Sequence, residues 1–325
     1  MRELCVVVLN YGTPALTIAS AESALADMTG IDGEVVVVDN KSPDDSLSRL
    51  RHWRDRREAD RIDIIAAPSN GGFASGNNIG MRAREAEFYL LLNSDTLVRS
   101  GAIPRLLAAM RADPRLGIAG PQIVDADGAP AVTRFRHPTP LGEFIEATGA
   151  DAVHRLFRSR VVPILDGEET APGWIGFPAV MLRKQMIDEI GLLDESYFMY
   201  FEDADYCRRA GKAGWRVGRC AAAVVEHFHG GSSNIEAARQ KLGRLPQYYY
   251  ASRARYFKSW YGSTGLVHAN LLWHLGRAVN ALRVLTLRRP KPTNRARWRD
   301  IWSMEKFAHP GESRDPARAG GALEE

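Results

Sequence analysis

Three carboxylates fall within four residues in the run Phe198-Met199-Tyr200-Phe201-Glu202-Asp203-Ala204-Asp205-Tyr206. Like charges this close repel one another, which costs stability unless a metal, a cation or a reaction uses them. The run also opens a helical stretch, where the helix dipole favours negative charge. Asp205 has ordinary partners in Arg208 and Arg209, three and four residues on. Glu202 and Asp203 have none so simple. Asp203 is therefore the candidate general base, and Glu202 the group that orients it or the acceptor.

Further polar residues stand where apolar runs end. Asn10 follows residues 4–9, Asp39 follows residues 35–38, and Asn93-Ser94-Asp95 follows residues 88–92. Asn, Asp and Ser are also favoured as helix caps and turn formers, and that ordinary role suits Asp44 and Ser100. Asp39 and Asp95 each sit directly at the end of a buried run, which favours a ligand role. The loop Asn70-Gly71-Gly72-Phe73-Ala74 with Asn77-Asn78 joins a strand to a helix. Its glycines let a ligand approach the backbone, and the helix N-terminus favours anions. It is neither a P-loop nor a GxGxxG fingerprint. His227 and His229 alternate at a strand end before Gly230-Gly231, a pattern open to a metal or phosphate role as well as to structural hydrogen bonding.

The elements that carry these groups follow from the apolar pattern. Short β-branched runs at 4–9, 35–38, 62–66, 88–92 and 118–119 alternate with helical stretches at 15–28, 44–58, 74–87 and 102–112. Such runs suit strands buried on both faces, and the alternation predicts βαβ units with ligand at the strands' carboxyl ends. The first 120 residues thus form a doubly wound nucleotide-binding half. Beyond Pro121 prolines multiply around one helical stretch at 141–157. A strand at 176–183, a helix at 204–214 and a strand at 221–226 follow.

Composition narrows the class. The chain has 325 residues, 45% hydrophobic and 25% charged, with 43 Lys and Arg against 39 Asp and Glu. That excludes disordered and collagen-like chains and is too weakly basic to imply nucleic acid. Three cysteines without CxxC spacing predict a reduced, cytoplasmic protein with no disulfide framework. No run approaches the ~18 apolar residues of a membrane span.

Together these residues resemble family 2 glycosyltransferases of the GT-A fold. The resemblance rests on Val36-Val37-Val38-Asp39-Asn40, the Asn70–Asn78 loop and Leu91-Leu92-Asn93-Ser94-Asp95. The blocks Trp174-Ile175-Gly176, Phe198 to Asp203 and His227-Phe228-His229-Gly230-Gly231 are similar to the bacterial rhamnosyltransferase-like branch. The match runs in order over about residues 4–260. It implies an α/β fold with a mixed, mostly parallel sheet flanked by helices, over residues 1–245, with 121–245 as the acceptor half. A helical extension (246–308) and a disordered tail (309–325) follow.

The resemblance also implies roles. Asp39 would contact the base or ribose of a nucleotide-sugar donor, helped by Asn10, Asn70, Gly72, Phe73 and Asn77. Asn93-Ser94-Asp95 stands at the DxD position, with Asn93 in place of the first acid. Asp95 and His227 would hold a divalent cation, Mg²⁺ or Mn²⁺. Trp174, Gly176 and Glu202 would face the acceptor, a glycan or polyprenyl-diphosphate-linked glycan, and Asp203 would be the base of an inverting transfer. The branch favours dTDP-rhamnose, with UDP-sugars as the alternative. A nucleotidyltransferase would need a basic Gly-rich N-terminal loop, which Asn10-Tyr11-Gly12-Thr13-Pro14 does not supply. A non-catalytic glycan- or nucleotide-binding protein would have little use for Asp95, Asp203 and His227 together.

Two C-terminal segments raise the question of partners. Residues 248–261 mix Tyr, Trp and Phe with Arg253, Arg255 and Lys258, either as a membrane-interface belt or as a helix that packs its rings inward and exposes its cations. Residues 266–287 form an amphipathic helix, with Asn270, His274, Arg277 and Asn280 opposite Leu271, Leu272, Leu275, Val279 and Leu282, and with a basic run of Arg283, Arg288, Arg289 and Lys291 after them. It predicts either a peripheral membrane contact or a homodimer interface.

Overall fold

A computed structural model describes residues 1–57, 61–164, 171–228, 243–287 and 293–303. His229, Gly230, Gly231, Arg288, Arg289, Lys291 and the expected tail at 309–325 lie outside the described residues.

One eight-stranded sheet organises the chain. Its strands are β1 (Arg2–Asn10), β2 (Gly33–Asp39), β3 (Ile62–Ala66), β4 (Ala86–Asn93), β5 (Thr96–Val98), β6 (Leu116–Val124), β9 (Ala179–Arg183) and β10 (Arg216–His227), in the order β3-β2-β1-β4-β9-β6-β10-β5. β1 to β4 are parallel, β9 runs antiparallel between β4 and β6, β10 is parallel to β6, and β5 is antiparallel to β10. β7 (Arg134–Phe135) and β8 (Trp174–Ile175) form a separate two-stranded ribbon. This is the mixed, mostly parallel α/β architecture of the GT-A fold.

Both faces of the sheet are covered, which explains why its strands read as unbroken apolar runs. Leu4, Val6 and Val8 of β1, with Val35, Val37, Phe88 and Leu90, face α1 (Pro14–Asp27), α2 (Ser46–Asp55) and α4 (Ala102–Ala112). Cys5 and Val7, with Val36, Val38, Tyr89 and Leu91, face α3 (Gly72–Ala83), α7 (Lys184–Ile190) and α8 (Glu202–Lys212).

Several expected elements differ. The stretch expected as one helix at 141–157 is two, α5 (Pro140–Thr148) and α6 (Asp151–Leu156), because Gly149 adopts a left-handed cap at φ 55°. The strand expected at 176–183 is interrupted at Gly176 to Pro178. The strand expected at 221–226 begins at Arg216, pairing with β6 through a bulge between Cys220 and Val224.

The C-terminal helices are α9 (Gln247–Tyr261), α10 (Gly265–Leu287) and the short α11 (Arg297–Asp300). Tyr250, Tyr256 and Phe257 of α9 are buried, so its rings are no membrane belt. Arg253, expected at the surface, is buried as well. Its Nε donates to Glu143 Oε1 (3.1 Å), its Nη1 to Asn270 Oδ1 (2.7 Å), and it lies over the Phe257 ring. α10 crosses α5 so closely that a Cβ at Gly276 would stand 2.5 Å from the Phe144 carbonyl oxygen. Among the described residues no helix is long and apolar enough to cross a membrane.

Candidate functional site

The strand ends open into a cavity of about 1180 Å³, above the usual size of a single small-molecule pocket. Asn70, Gly72, Phe73, Asn93, Ser94, Asp95, Trp174, Gly176, Glu202, Asp203 and His227 all border it. Asn10, Asp39 and Asn77 do not.

Those three support the wall from behind. Asn10 Nδ2 donates to Asp39 Oδ1 (2.7 Å) and Ser42 Oγ (3.0 Å), while its Oδ1 accepts from Thr17 Oγ1 (2.7 Å). Asp39 also accepts from the Ser42 hydroxyl at 2.6 Å. Asn77 donates from Nδ2 to the Phe73 carbonyl (2.9 Å) within α3. The neighbours Tyr11 and Asn40 reach the cavity instead. Asn40 Nδ2 donates to Asn70 Oδ1 and to the Gly72 carbonyl, both at 3.0 Å, and Asn70 Oδ1 also accepts from the Gly72 N–H.

Asp95 and His227, 132 positions apart, meet through the sheet. In the antiparallel β5–β10 pairing His227 lies opposite Thr96, and the Phe228 N–H donates to the Asp95 carbonyl (2.9 Å). His227 Nε2 lies 3.2 Å from Asp95 Oδ1, an oxygen that is buried yet accepts no hydrogen bond. Two ligands at right angles on an ion with bonds of about 2.1 Å stand about 3 Å apart. The pair therefore fits a hard divalent cation that completes its shell with substrate oxygens. No group of three or more His, Cys, Asp or Glu suited to a metal occurs among the described residues. Ser94 is fixed by the Thr13 hydroxyl, which donates to its Oγ (2.9 Å).

The acidic pair is presented by an unusual turn. Tyr200 and Phe201 both adopt left-handed backbone, at φ 70° and 69°, immediately before α8. Bulky side chains there cost of order 1–3 kcal/mol each and need strong support. Aromatic packing from α9 supplies it: Tyr200 stacks with Tyr248 (6.5 Å), and Phe201 meets Tyr249 (5.7 Å) and Tyr256 (5.6 Å). Ser252 Oγ donates to the Met199 carbonyl at 3.0 Å. On the other flank the Phe73 N–H donates to the Phe198 carbonyl (2.7 Å), and a Cβ on Gly72, itself at φ 82°, would fall 2.0 Å from that same oxygen.

Burial, then repulsion from Asp203, raises the Glu202 carboxyl well above the ordinary range, and Glu202 Oε2 has no hydrogen-bond partner. Asp203 is pushed up to about 7, chiefly by burial, against the opposing hydrogen bond from the Ala204 N–H. Asp205 is spent elsewhere. It accepts from Arg209 Nε (3.0 Å) and Trp260 Nε1 (2.8 Å), whereas Arg208 binds the Tyr256 and Tyr261 hydroxyls.

Trp174 stacks on Phe135 at 4.3 Å across the β7–β8 ribbon and donates from Nε1 to the Arg136 carbonyl (3.0 Å). Aromatic faces of this kind suit a sugar ring. Sequence reasoning missed Tyr11, Tyr248, Tyr249 and Arg297 as cavity residues. Only Tyr11, beside Asn10, carried a local signal.

The mixed sheet thus brings an Asn-Ser-Asp strand end, a facing histidine and a raised acid to one cavity. Residues 5–160 match the model for glycosyl transferase family 2. It is 28% identical over 236 residues to the low-salt glycan biosynthesis hexosyltransferase Agl10 of Haloferax volcanii, covering 70% of this chain and 67% of that one. It is 31% identical over 196 residues to the N-acetylglucosaminyl-diphospho-decaprenol L-rhamnosyltransferase of Mycobacterium tuberculosis, covering 54% of this chain and 62% of the relative. Among solved structures, the mannosyltransferase PcManGT of Pyrobaculum calidifontis, in complex with GDP-Man and Mn²⁺, superposes with a TM-score of 0.54. The identity is 14%, over 88% of this chain and 76% of that one.

Proposed function

We propose that this chain is an inverting, metal-assisted hexosyltransferase that moves rhamnose from dTDP-rhamnose to a hydroxyl of a polyprenyl-diphosphate-linked glycan. The observation that carries the reading is a single cavity that holds Asp203, its carboxyl raised to about 7, together with the Asp95–His227 pair. A base serves best when its pKa lies near working pH. The mycobacterial rhamnosyltransferase supports the choice of sugar and acceptor.

In this reading Asn40, Asn70, Gly72 and Phe73 seat the nucleoside. Asp39 would reach the base or ribose by exchanging its bond with Ser42 for one with the donor. Asp95 and His227 would hold Mg²⁺ or Mn²⁺, whose chemistry when bound is to neutralise charge on the departing nucleoside diphosphate. Trp174 and Gly176 face the acceptor sugar. Asp203 takes the proton of the acceptor hydroxyl as its oxygen bonds to the anomeric carbon. The bond from that carbon to the diphosphate oxygen breaks on the opposite face, so stereochemistry inverts. Glu202, held neutral beside Asp203, keeps a second negative charge out of the site and can donate its proton as a hydrogen bond.

The test is nucleoside diphosphate release from a panel of dTDP-, UDP- and GDP-sugars with wild-type protein and Asp203→Asn. dTDP-rhamnose should be turned over fastest, and Asp203→Asn should lose about 10²–10⁴-fold in turnover while still binding donor. A variant that keeps more than about a tenth of wild-type turnover removes Asp203 as the base. A UDP-sugar as best donor overturns the rhamnose assignment.

A further inference from the structure

We propose that the outer face of α10 is a docking surface for an anionic membrane. The helix buries Leu266, Ala269 and Trp273 on its inner face, yet asparagines share that face and an apolar stripe lies on the outer one. Its polar residues Asn270 and Asn280 are turned inward and buried, Asn270 bridging Arg253 and the Ile301 carbonyl. Four large apolar residues face solvent instead: Val267 is 41% exposed, Leu271 55%, Leu275 55% and Leu282 63%. Steps of four, four and seven residues keep them on one stripe about 22 Å long. Trp302, also exposed, lies against this helix, with its Nε1 donating to His274 Nε2 (3.0 Å).

The charge pattern names the occupant. Between Glu236 and Asp300 the sequence contains fourteen Lys and Arg and no Asp or Glu. Arg244, Arg253, Arg255 and Arg297 are spent on acids from elsewhere in the fold. Lys258, Arg295 and Arg299 are exposed. An exposed apolar stripe on a segment whose charges are all cationic from 237 to 299 matches a bilayer interface with anionic headgroups.

The position of α10 gives the docking a purpose. α5 lies between it and the cavity: Glu143 and Glu146 border the cavity, while Phe144 and Ala147 meet Gly276 of α10. Packed helices stand 8–10 Å apart, so a membrane on the outer face lies about one helical layer from α5. The placement of a lipid-linked acceptor rests on the function proposed above; the docking itself does not.

Intact protein is co-sedimented with vesicles of phosphatidylcholine alone and of phosphatidylcholine with phosphatidylglycerol, at low and high salt. Binding should require phosphatidylglycerol and fall with salt, since each cation at such a surface strengthens binding about fivefold. Leu271→Gln/Leu275→Gln should weaken it at least tenfold with an unchanged melting temperature, because both side chains are exposed. Donor turnover in solution should be unaffected. No binding to anionic vesicles at low salt overturns the proposal, as does a double variant that binds like wild type. A dimer that the double variant converts to monomer, with no vesicle binding, overturns it equally. Vesicle binding without any donor turnover would leave the docking standing and defeat the glycosyltransfer assignment instead.

Discussion

The cavity positions charge in two different ways. Asp95 and His227 are fixed by backbone: each sits at a strand end, and ladder pairing between β5 and β10 sets their separation. Glu202 and Asp203 are fixed largely by side chains, on a left-handed turn against which the aromatic rings of α9 pack. A ladder tolerates many side-chain changes without moving. A ring clamp yields when one ring is lost. The metal side should therefore respond to deletion of the ligating groups themselves, and the acid side also to changes at residues that carry no charge.

The largest effect is expected on the ladder side. Asp95→Ala, or chelation of the wild-type protein with EDTA, should cost about a hundredfold or more in turnover, consistent with several kcal/mol of charge stabilisation. Mg²⁺ or Mn²⁺ should restore the chelated enzyme and not the variant. Full activity in chelator would return His227 to a structural role and remove one side of the contrast. A smaller effect is expected at the clamp. Tyr249→Ala removes rings packed on Phe201 and Tyr200, worth about 0.5–1.5 kcal/mol per pair, and should lower kcat about tenfold with little change in donor affinity. A loss in donor affinity with kcat intact would show that the rings serve the donor and not the acid.

The smallest effect is on stability. Asp203 has a folded-state pKa near 7 against an ordinary value of 3.8. Stability relative to high pH is full below about pH 4, declines as the unfolded chain ionises first, and is lost as pH rises through 7. Asp203→Asn removes this penalty. It should melt several degrees above wild type at pH 8, at roughly 2–4 °C for each kcal/mol recovered, and the difference should vanish toward pH 4. A gap that widened on acidification would reverse the assigned shift.

Much of the donor side was legible because its rules are local. Strands buried on both faces read as continuous apolar runs, and Asn93, Ser94 and Asp95 follow one of them directly. Asp39 was legible as a strand-end acid, yet its carboxylate faces Asn10 and Ser42 and not the cavity. The inward or outward aim of a strand-end side chain depends on what fills the next loop. The acid side was legible in composition only. Nothing near Tyr200 or Phe201 signals a left-handed turn, because the rings that stabilise it lie some fifty residues on. Arg253 reads as a surface cation until Glu143, 110 positions earlier, is seen beside it. The amphipathic character of the helix at 266–287 was legible, whereas the direction of its faces depends in part on Arg253 and the Ile301 carbonyl, which capture Asn270.

The buried bridge from Glu143 through Arg253 and Asn270 to the Ile301 carbonyl ties four segments of chain into one cooperative unit. Removing α10 would take the Asn270 acceptor from the Arg253 guanidinium and leave it with Glu143, and a donor that loses its partner in the interior costs more than the bond itself contributes. Residues beyond Tyr261 are thus wired into the fold through Asn270 and the Ile301 carbonyl, and a protease cut between α9 and α10 should lower the melting temperature of what remains.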